Sequence, residues 1–481
     1  ALHRTVRRVA AGGGGVIEDL KPYPETRNSG LAWLGKIPAH WGIMPVARLA
    51  RPKSIVGQPD RQLLSVYLQR GVVRFTNIAE KRTNATSGDL SKYQAVDPGD
   101  FVLNNQQAWR GSVGVSTHTG IVSPAYLVLS LSGQYVQSYA NWLFRDQCMV
   151  YQYLICSKGV GSIQRNLYWP HLKRVGALLP PPEEQAAIAR FLAWATNRLD
   201  RAIQAKRRII ALLNEQKQAI IHRAVTRGLD PSVPLKDSGV PWLGEIPEHW
   251  EARKLGTLFC LQGSGTTPSG ERYYGGSINW VMSGDLNDKV VSTTKRSVQA
   301  VALEFYSALK LYPPGSLVIA MYGATIGKTG ILGKHACTNQ ACCVLAHPAC
   351  GAKETFLQLA VQAAKPHLMS EAYGGGQPNI NAEIVRALRI GLPPANDLQL
   401  LLQSLNSSTH QLRLAIARLE REIALLLEYR TRLIADVVTG KLDVREAAAG
   451  LPEEAESLDT ADQNEVIGEL EPDEDEEPEL K

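Results

Sequence analysis

Long apolar runs are missing from this 481-residue chain. No stretch approaches the ~18 uninterrupted apolar residues that a membrane span requires. The start, Ala1-Leu2-His3-Arg4, lacks the apolar core of a secretory signal, so a soluble cytoplasmic protein is the expectation. Cysteine is sparse and odd in number, seven in all, which without a secretory signal argues against a disulfide framework. His335, Cys337, Cys342, Cys343, His347 and Cys350 crowd together, but without CxxC…CxxC spacing. Adjacent Cys342 and Cys343 would face opposite ways on a strand, so the group reads as buried free thiols and no metal is expected.

Catalytic signatures are missing as well. Gly323-Ala-Thr-Ile-Gly327-Lys328-Thr329 imitates a phosphate-binding loop, but three residues separate its glycines where four are needed, and no helix pattern follows. A glycine hairpin bearing Lys328 is the expectation there. An amino-methyltransferase would need an Asp/Asn-Pro-Pro-aromatic loop; Pro393-Pro394 is followed by Ala395. No paired carboxylates suit a metal-dependent nuclease. His40 and His249 recur in a repeated motif, with no nucleophile or acid recurring beside them, and read as packing or hydrogen-bonding residues. The chain is expected to catalyse nothing alone and to hold no cofactor.

What is present is positive charge and repetition. The formal net charge of +6 conceals an asymmetry: residues 451–481 hold fourteen Asp or Glu against Lys481 alone. That leaves 51 basic and 32 acidic residues in 1–450, a body of about +19, which suggests a polyanionic partner. The acidic tail reads as disordered and solubilising.

Gly30-Leu-Ala-Trp-Leu-Gly-Lys-Ile-Pro-Ala-His-Trp41 returns as Gly239-Val-Pro-Trp-Leu-Gly-Glu-Ile-Pro-Glu-His-Trp250, with eight of twelve positions identical at an offset of 209. Arg208 to Asp230 matches Arg421 to Asp443 at eleven of 23 positions, offset 213, and Pro180-Pro181 falls on Pro393-Pro394. The chain is therefore two copies of one plan: a Trp-rich opening motif, a variable insert, a Pro-Pro stop and a long helix. The expected boundaries are an N-terminal extension at 1–20, opening motifs at 21–44 and 233–254, and inserts at 45–178 and 255–391. Long-helix regions follow at 179–232 and 392–445, then the tail at 446–481. The inserts share a faint Pro98-Gly99 and Pro314-Gly315 turn, and stretches such as Asp100-Phe-Val-Leu103, Tyr126-Leu-Val-Leu129 and Ser316-Leu-Val-Ile-Ala320 predict strands. The fold class expected is α+β.

Each helix carries an apolar seam at alternating steps of three and four. In the first it runs through Leu192, Leu199, Ile203, Ile210, Leu213 and Ile220. In the second it runs through Leu405, Leu412, Ile416, Leu419, Ile423, Leu426 and Leu433, with Thr409 and Arg430 interrupting as Thr196 and Lys217 do in the first. Pro182 and Pro394 lie just before the helices, and Gly228 and Gly440 near their ends. One seam per helix wants one partner, and the simplest is the other helix of the same chain, antiparallel. That arrangement would set the two inserts at opposite ends of a rod.

A basic, duplicated chain directs attention to nucleic acid. The first insert offers Arg61, Arg70, Arg74, Lys81, Arg82, Asn104, Asn105, Gln106, Gln107 and Arg110; amides suit adenine edges and Arg suits guanine. The second offers Thr266, Thr267, Pro268, Ser269, Arg272, Tyr273, Tyr274, Lys328, Asn339 and Gln340, whose hydroxyls, amides and charges suit phosphates.

Four stretches carry a family resemblance: Ser238-Gly-Val-Pro-Trp-Leu-Gly-Glu-Ile-Pro-Glu-His-Trp250, Leu178-Leu-Pro-Pro-Pro-Glu-Glu-Gln-Ala-Ala-Ile188, Gly263-Ser-Gly-Thr-Thr-Pro-Ser269 and Ile278-Asn-Trp280. With them the chain resembles the specificity (S) subunit of type I restriction-modification systems over about residues 21–445. The resemblance implies that the inserts are target recognition domains, each reading half of a bipartite site in double-stranded DNA. It implies long helices that set the gap between half-sites and dock two methyltransferase (M) subunits, with restriction (R) subunits joining them. S-adenosylmethionine would belong to M, and ATP with Mg to R. Two departures stand out: residues 1–20 precede the usual family start, and Pro393-Pro394-Ala-Asn-Asp-Leu-Gln lacks the Glu-Gln pair of the first copy. The rival expectations are a modification-only system and a coiled-coil adaptor that binds protein.

Overall fold

The computed structural model describes residues 20–68, 70–75, 89–160, 164–349, 353–374 and 378–451. Lys81, Arg82, Cys350, the residues before 20 and the acidic tail beyond 451 lie outside them. The chain divides into two compact units: the described residues of Ala1–Arg208 with Leu419–Lys481, and Ile209–Arg418.

In the first unit, strands β1 (Ala50–Pro52), β2 (Asp100–Asn104), β3 (Val113–Val115) and β4 (Tyr126–Leu131) form an antiparallel sheet in the order β1-β4-β2-β3. Alternate residues serve two cores. Phe101, Leu103 and Leu129 join one cluster, and Val102 and Val128 the other. A sheet covered on both faces needs a continuous apolar run, which is how Asp100-Phe-Val-Leu103 reads. Helices α1 (Gln137–Arg145) and α2 (Gln147–Ile155) follow, then the hairpin β5 (Ser157–Val160) and β6 (Gln164–Leu167). Helix α3 spans Pro182–Arg227.

In the second unit, β7 (Phe259–Gly263), β8 (Tyr274–Val281), β9 (Lys289–Val291), β10 (Arg296–Val298), β11 (Leu317–Ala320), β12 (Thr329–Leu332), β13 (Ala336–Thr338) and β14 (Cys342–Pro348) form two sheets. Their orders are β7-β14-β11-β12-β9 and β10-β8-β13. Helix α4 (Glu354–Ala363) covers the larger sheet, and α5 spans Ala395–Val438. The first four strands of the larger sheet repeat β1-β4-β2-β3 of the first unit, strand for strand. Each central strand, β2 and β11, is preceded by the Pro-Gly turn, with Gly99 and Gly315 at φ 92° and 82°. The Lys328 loop is a hairpin turn between β11 and β12, as its sequence suggests.

The long helices are 46 and 44 residues, and each gives part of its length to each unit. In the first unit Asp200 meets Arg430 at 3.2 Å and Lys206 meets Glu422 at 2.7 Å, so the segments run antiparallel. In the second, Ile221, Ala224 and Val225 share a core with Leu398, Leu401 and Leu405. Leu192, Leu199, Ile203, Leu405, Ile416, Leu426 and Leu433 are buried. Ile210, Leu213, Ile220, Leu412, Leu419 and Ile423 are half-buried. A two-helix seam shields one side only, and full burial comes where a sheet module also covers the helix: Ile188, Phe191 and Ala195, off the seam, pack into the first module's core. Pro182 starts α3 rather than preceding it, at a position where its missing N–H costs nothing.

Candidate nucleic-acid interface

The opening motifs fold alike. Ser29 and Ser238 each accept a hydrogen bond from a backbone N–H two residues on, and each donates its own N–H to the glycine that closes the loop, Gly35 or Gly244. Trp41 and Trp250 are buried beneath. His40 pairs with Glu184 at 2.7 Å, and His249 with Asp397 at 3.0 Å. The two carboxylates occupy the same turn of α3 and α5, so Asp397 takes the place of the second copy's missing Glu. The repeated histidines are hydrogen-bonding residues that tie each motif to a helix start. The environments differ: Glu184 is 5% exposed and also accepts from the buried Tyr23 hydroxyl, whereas Asp397 is 47% exposed. Glu184→Ala leaves that hydroxyl without a partner and is expected to cost about 1–3 kcal/mol. Asp397→Ala is expected to stay within about 1 kcal/mol. Urea unfolding of the two variants checks this, and equal losses contradict it.

In the first unit, the Asn104–Gln107 turn ends β2. Asn104 Oδ1 accepts from the Gln106 N–H at 3.1 Å, so this amide shapes its own turn. Asn105 C=O accepts from the Leu167 N–H at 3.0 Å, which binds the turn to hairpin β5–β6. Gln106 and Arg110 are exposed, and Asn105 and Gln107 half-buried, the side-chain Oε1 of Gln107 lying buried without a hydrogen bond. The turn and hairpin bring together residues that sequence reasoning missed. Trp109, fixed by its indole N–H on Gln106 C=O at 2.9 Å, has Arg110 at 5.9 Å and Arg165 at 5.8 Å from its ring. Lys158 lies 5.4 Å from the Tyr168 ring. The missed signal was alternation of Lys or Arg with aromatics across 109–110, 158, 165 and 168. Arg74, exposed, and Arg70, half-buried, belong to a separate hairpin, Leu64–Tyr67 with Gly71–Arg74. Arg61 is bound to Asp97 at 2.9 Å, a structural ion pair that holds the Asp97 carboxyl low together with Lys53.

In the second unit, the Gly263–Ser269 segment is pinned along its length. Tyr312 donates to Ser264 C=O, the Trp280 indole to Thr266 C=O, Tyr274 to Pro268 C=O, and Thr267 to Gln340 Oε1 at 2.7 Å. Ser269 meets the Tyr306 hydroxyl at 2.8 Å. Thr267, Ser269, Arg272 and Gln340 are exposed around this segment, and Tyr274 is half-buried beneath Arg296, 4.0 Å from its ring. Tyr306 and Arg296 were not singled out from the sequence. Tyr273 requires correction as a contact residue: at 3% exposure it packs with Trp280, Val298 and Leu309, its aromatic bulk filling a core and its hydroxyl accepting from Arg272. Asn339 Oδ1 is engaged by the Ala341 N–H, and Lys328 stands on the β11–β12 turn rather than on the pinned segment.

Cys337, Cys342 and Cys343 are buried thiols; Cys342 and Cys343 point into opposite cores, and burial pushes Cys337 and Cys343 up to about 12. Among the described residues no three His, Cys, Asp or Glu converge to hold a metal, and no helix is long and apolar enough to cross a membrane.

Two sheet modules of one topology, each presenting a different set of amide, hydroxyl and cationic side chains, together with paired long helices, define a duplicated recognition scaffold. Residues 247–420 match the type I restriction modification DNA specificity domain. The type I restriction enzyme MjaIX specificity subunit of Methanocaldococcus jannaschii is 23% identical over 388 residues, 79% of this chain and 84% of that one. A solved chain from work on complex assembly and conformational transition of the type I R-M system has the same fold, with a TM-score of 0.56 at 14% identity, covering 84% of this chain and 98% of that one. A crystallised specificity subunit from Thermoanaerobacter tengcongensis reaches 0.40 at 15% identity, with the same coverage of 84% and 98%. The resemblance read from the sequence is thus met in three places: a matching specificity domain over residues 247–420, a similar specificity subunit along most of the chain, and a shared fold.

Proposed function

We propose that the chain is the DNA sequence-recognition subunit of a type I restriction-modification complex. It reads a bipartite, asymmetric site in double-stranded DNA, one half with each module. It docks two methyltransferase subunits and, through them, restriction subunits, and is itself non-catalytic. S-adenosylmethionine serves the methyltransferase subunits and ATP with Mg the restriction subunits, and the setting is the cytoplasm. The observation that carries this reading is the pair of sheets with one strand order but unlike exposed residues: Gln106 and Arg110 in one, Thr267, Arg272 and Gln340 in the other. One architecture with two reading surfaces suits two different half-sites.

Selection from a random duplex library by the chain with its methyltransferase partner tests it. The expected product is a split sequence with unlike halves. Arg110→Ala is expected to weaken binding to the selected duplex by about 10- to 100-fold, in line with loss of one bidentate base contact. Equal loss on random duplex reassigns Arg110 to phosphate, and a continuous or symmetric selected sequence contradicts the two-module reading.

A further inference from the structure

We propose that the β5–β6 hairpin is a phosphate-gripping ribbon of the first module, with Lys158 and Arg165 as its contacts to the backbone of duplex DNA. The inference deepens the DNA-reading function and rests on it.

Strand register comes first. Lys158 stands opposite Asn166, and Arg165 opposite Gly159. Side chains alternate faces along a strand, so Lys158 and Arg165 project from opposite faces of one two-stranded ribbon. A ribbon of this kind fits the major groove, and cations on both of its faces serve the phosphates flanking it. Gly159, exposed opposite Arg165, removes the side chain that would otherwise crowd an approaching backbone.

Charge comes second. No carboxylate among the described residues pairs with Lys158 or Arg165. Their partners are rings: Tyr168 at 5.4 Å and Trp109 at 5.8 Å. A ring restrains a long side chain without neutralising it, so part of the ordering is done before any ligand arrives while the positive charge stays available. Other cations of this unit are instead held by acids, as Lys53 is by Asp97 and Asp100, Arg61 by Asp97, and Arg430 by Asp200.

Rigidity comes third. The ribbon's base is fastened by Tyr168 N–H on Cys156 C=O, Ser157 Oγ on Tyr153 C=O, and Leu167 N–H on Asn105 C=O. The last of these couples it to the Asn104–Arg110 turn, so phosphate contacts on the ribbon would fix the register in which that turn meets base edges.

The test uses the full chain and fluorescence anisotropy with 30-base-pair duplexes of unrelated sequence between 50 and 200 mM KCl. Lys158→Ala with Arg165→Ala is expected to reduce the slope of log K against log salt by about 1.8, two contacts at ~0.9 each, with equal loss on every duplex. Lys158→Arg with Arg165→Lys, which keeps both charges, is expected to restore the slope. An unchanged slope in the alanine pair, with wild-type binding intact, overturns the ribbon and leaves DNA reading standing. Failure of the charge-keeping pair to rescue, with a lowered unfolding midpoint, also overturns it, as a structural role. If the wild-type chain binds no duplex, both readings fall.

Discussion

Asp200→Ala is expected to destabilise the first unit by about 3–5 kcal/mol, the cost of stripping one partner from a buried ion pair. Arg430 occupies a seam position of α5, 20% exposed, and its Nε lies 3.2 Å from an Asp200 oxygen that is itself in a side chain only 13% exposed. Burial raises the Asp200 carboxyl above its ordinary range, against the opposing pull of Arg430 and Arg207. Desolvation thus outweighs the attraction at Asp200, and neither charge is tolerable alone. Arg430 also bears on Arg145, whose guanidinium burial and then the Arg430 charge push down to about 10, so an unpaired Arg430 worsens an existing crowding of cations. Replacing the pair together, Asp200→Leu with Arg430→Leu, is expected to recover the loss or exceed wild type, since well-packed apolar residues avoid the desolvation. Urea unfolding of the three proteins decides the matter. A single-variant loss under 1 kcal/mol, or a double variant as weak as the single, rules the account out. The pair also defines helix register, because sliding either helix by a turn separates Asp200 from Arg430 and Lys206 from Glu422 together.

The second large effect is expected at Gly265. A Cβ there would lie 1.6 Å from the Thr338 carbonyl oxygen and 2.4 Å from its carbon, both backbone atoms of β13. Glycine is required for close approach of two chains, not for a left-handed turn. Gly265→Ala is expected to cost about 3 kcal/mol, the upper end for overpacking, and to displace the pinned segment so that Thr267 loses Gln340. Gly284→Ala is the control: nothing lies within 4 Å of its added Cβ, and a change within about 0.5 kcal/mol is expected. Thermal unfolding measures stability, and duplex binding measures the consequence for the interface. If Gly265→Ala unfolds like wild type and binds DNA equally, the close approach has no importance.

Much of the architecture was legible in the residues. Steps of three and four marked both long helices to within a few residues, because a seam leaves its period in every turn. The Trp motifs betrayed the duplication, because buried Trp41 and Trp250 and the Ser-Gly loops admit few substitutes. The inserts were another matter. Their shared strand order left only the Pro-Gly turn in the sequence, since a sheet core accepts any apolar residue of suitable volume: Phe101 and Leu103 stand where Leu317 and Ile319 do the same kind of work. The second copy departs from the first in lacking the Glu-Gln pair. Asp397 supplies the carboxylate, and Leu398 replaces the fully bonded Gln185 with core packing.

The candidate interface was legible by composition and not by placement. Residue type drew attention to Tyr273 alongside Tyr274, yet only one of the two reaches the surface, because Tyr273 ends the 3-10 turn Glu271–Tyr273 and packs into the core whereas Tyr274 opens β8. Arg165 and Lys158 escaped notice because the alternation of cations with aromatics that marks them is spread over residues 109–168; only the fold sets Arg165 against Trp109 and Lys158 against Tyr168. Sequence alone therefore determined what is periodic or repeated: the helices, the duplication, the basic body and the family likeness. The tertiary structure decided which polar residues face outward, which are engaged by neighbours and which cations keep their charge uncompensated, since those properties depend on contacts between segments far apart in the chain.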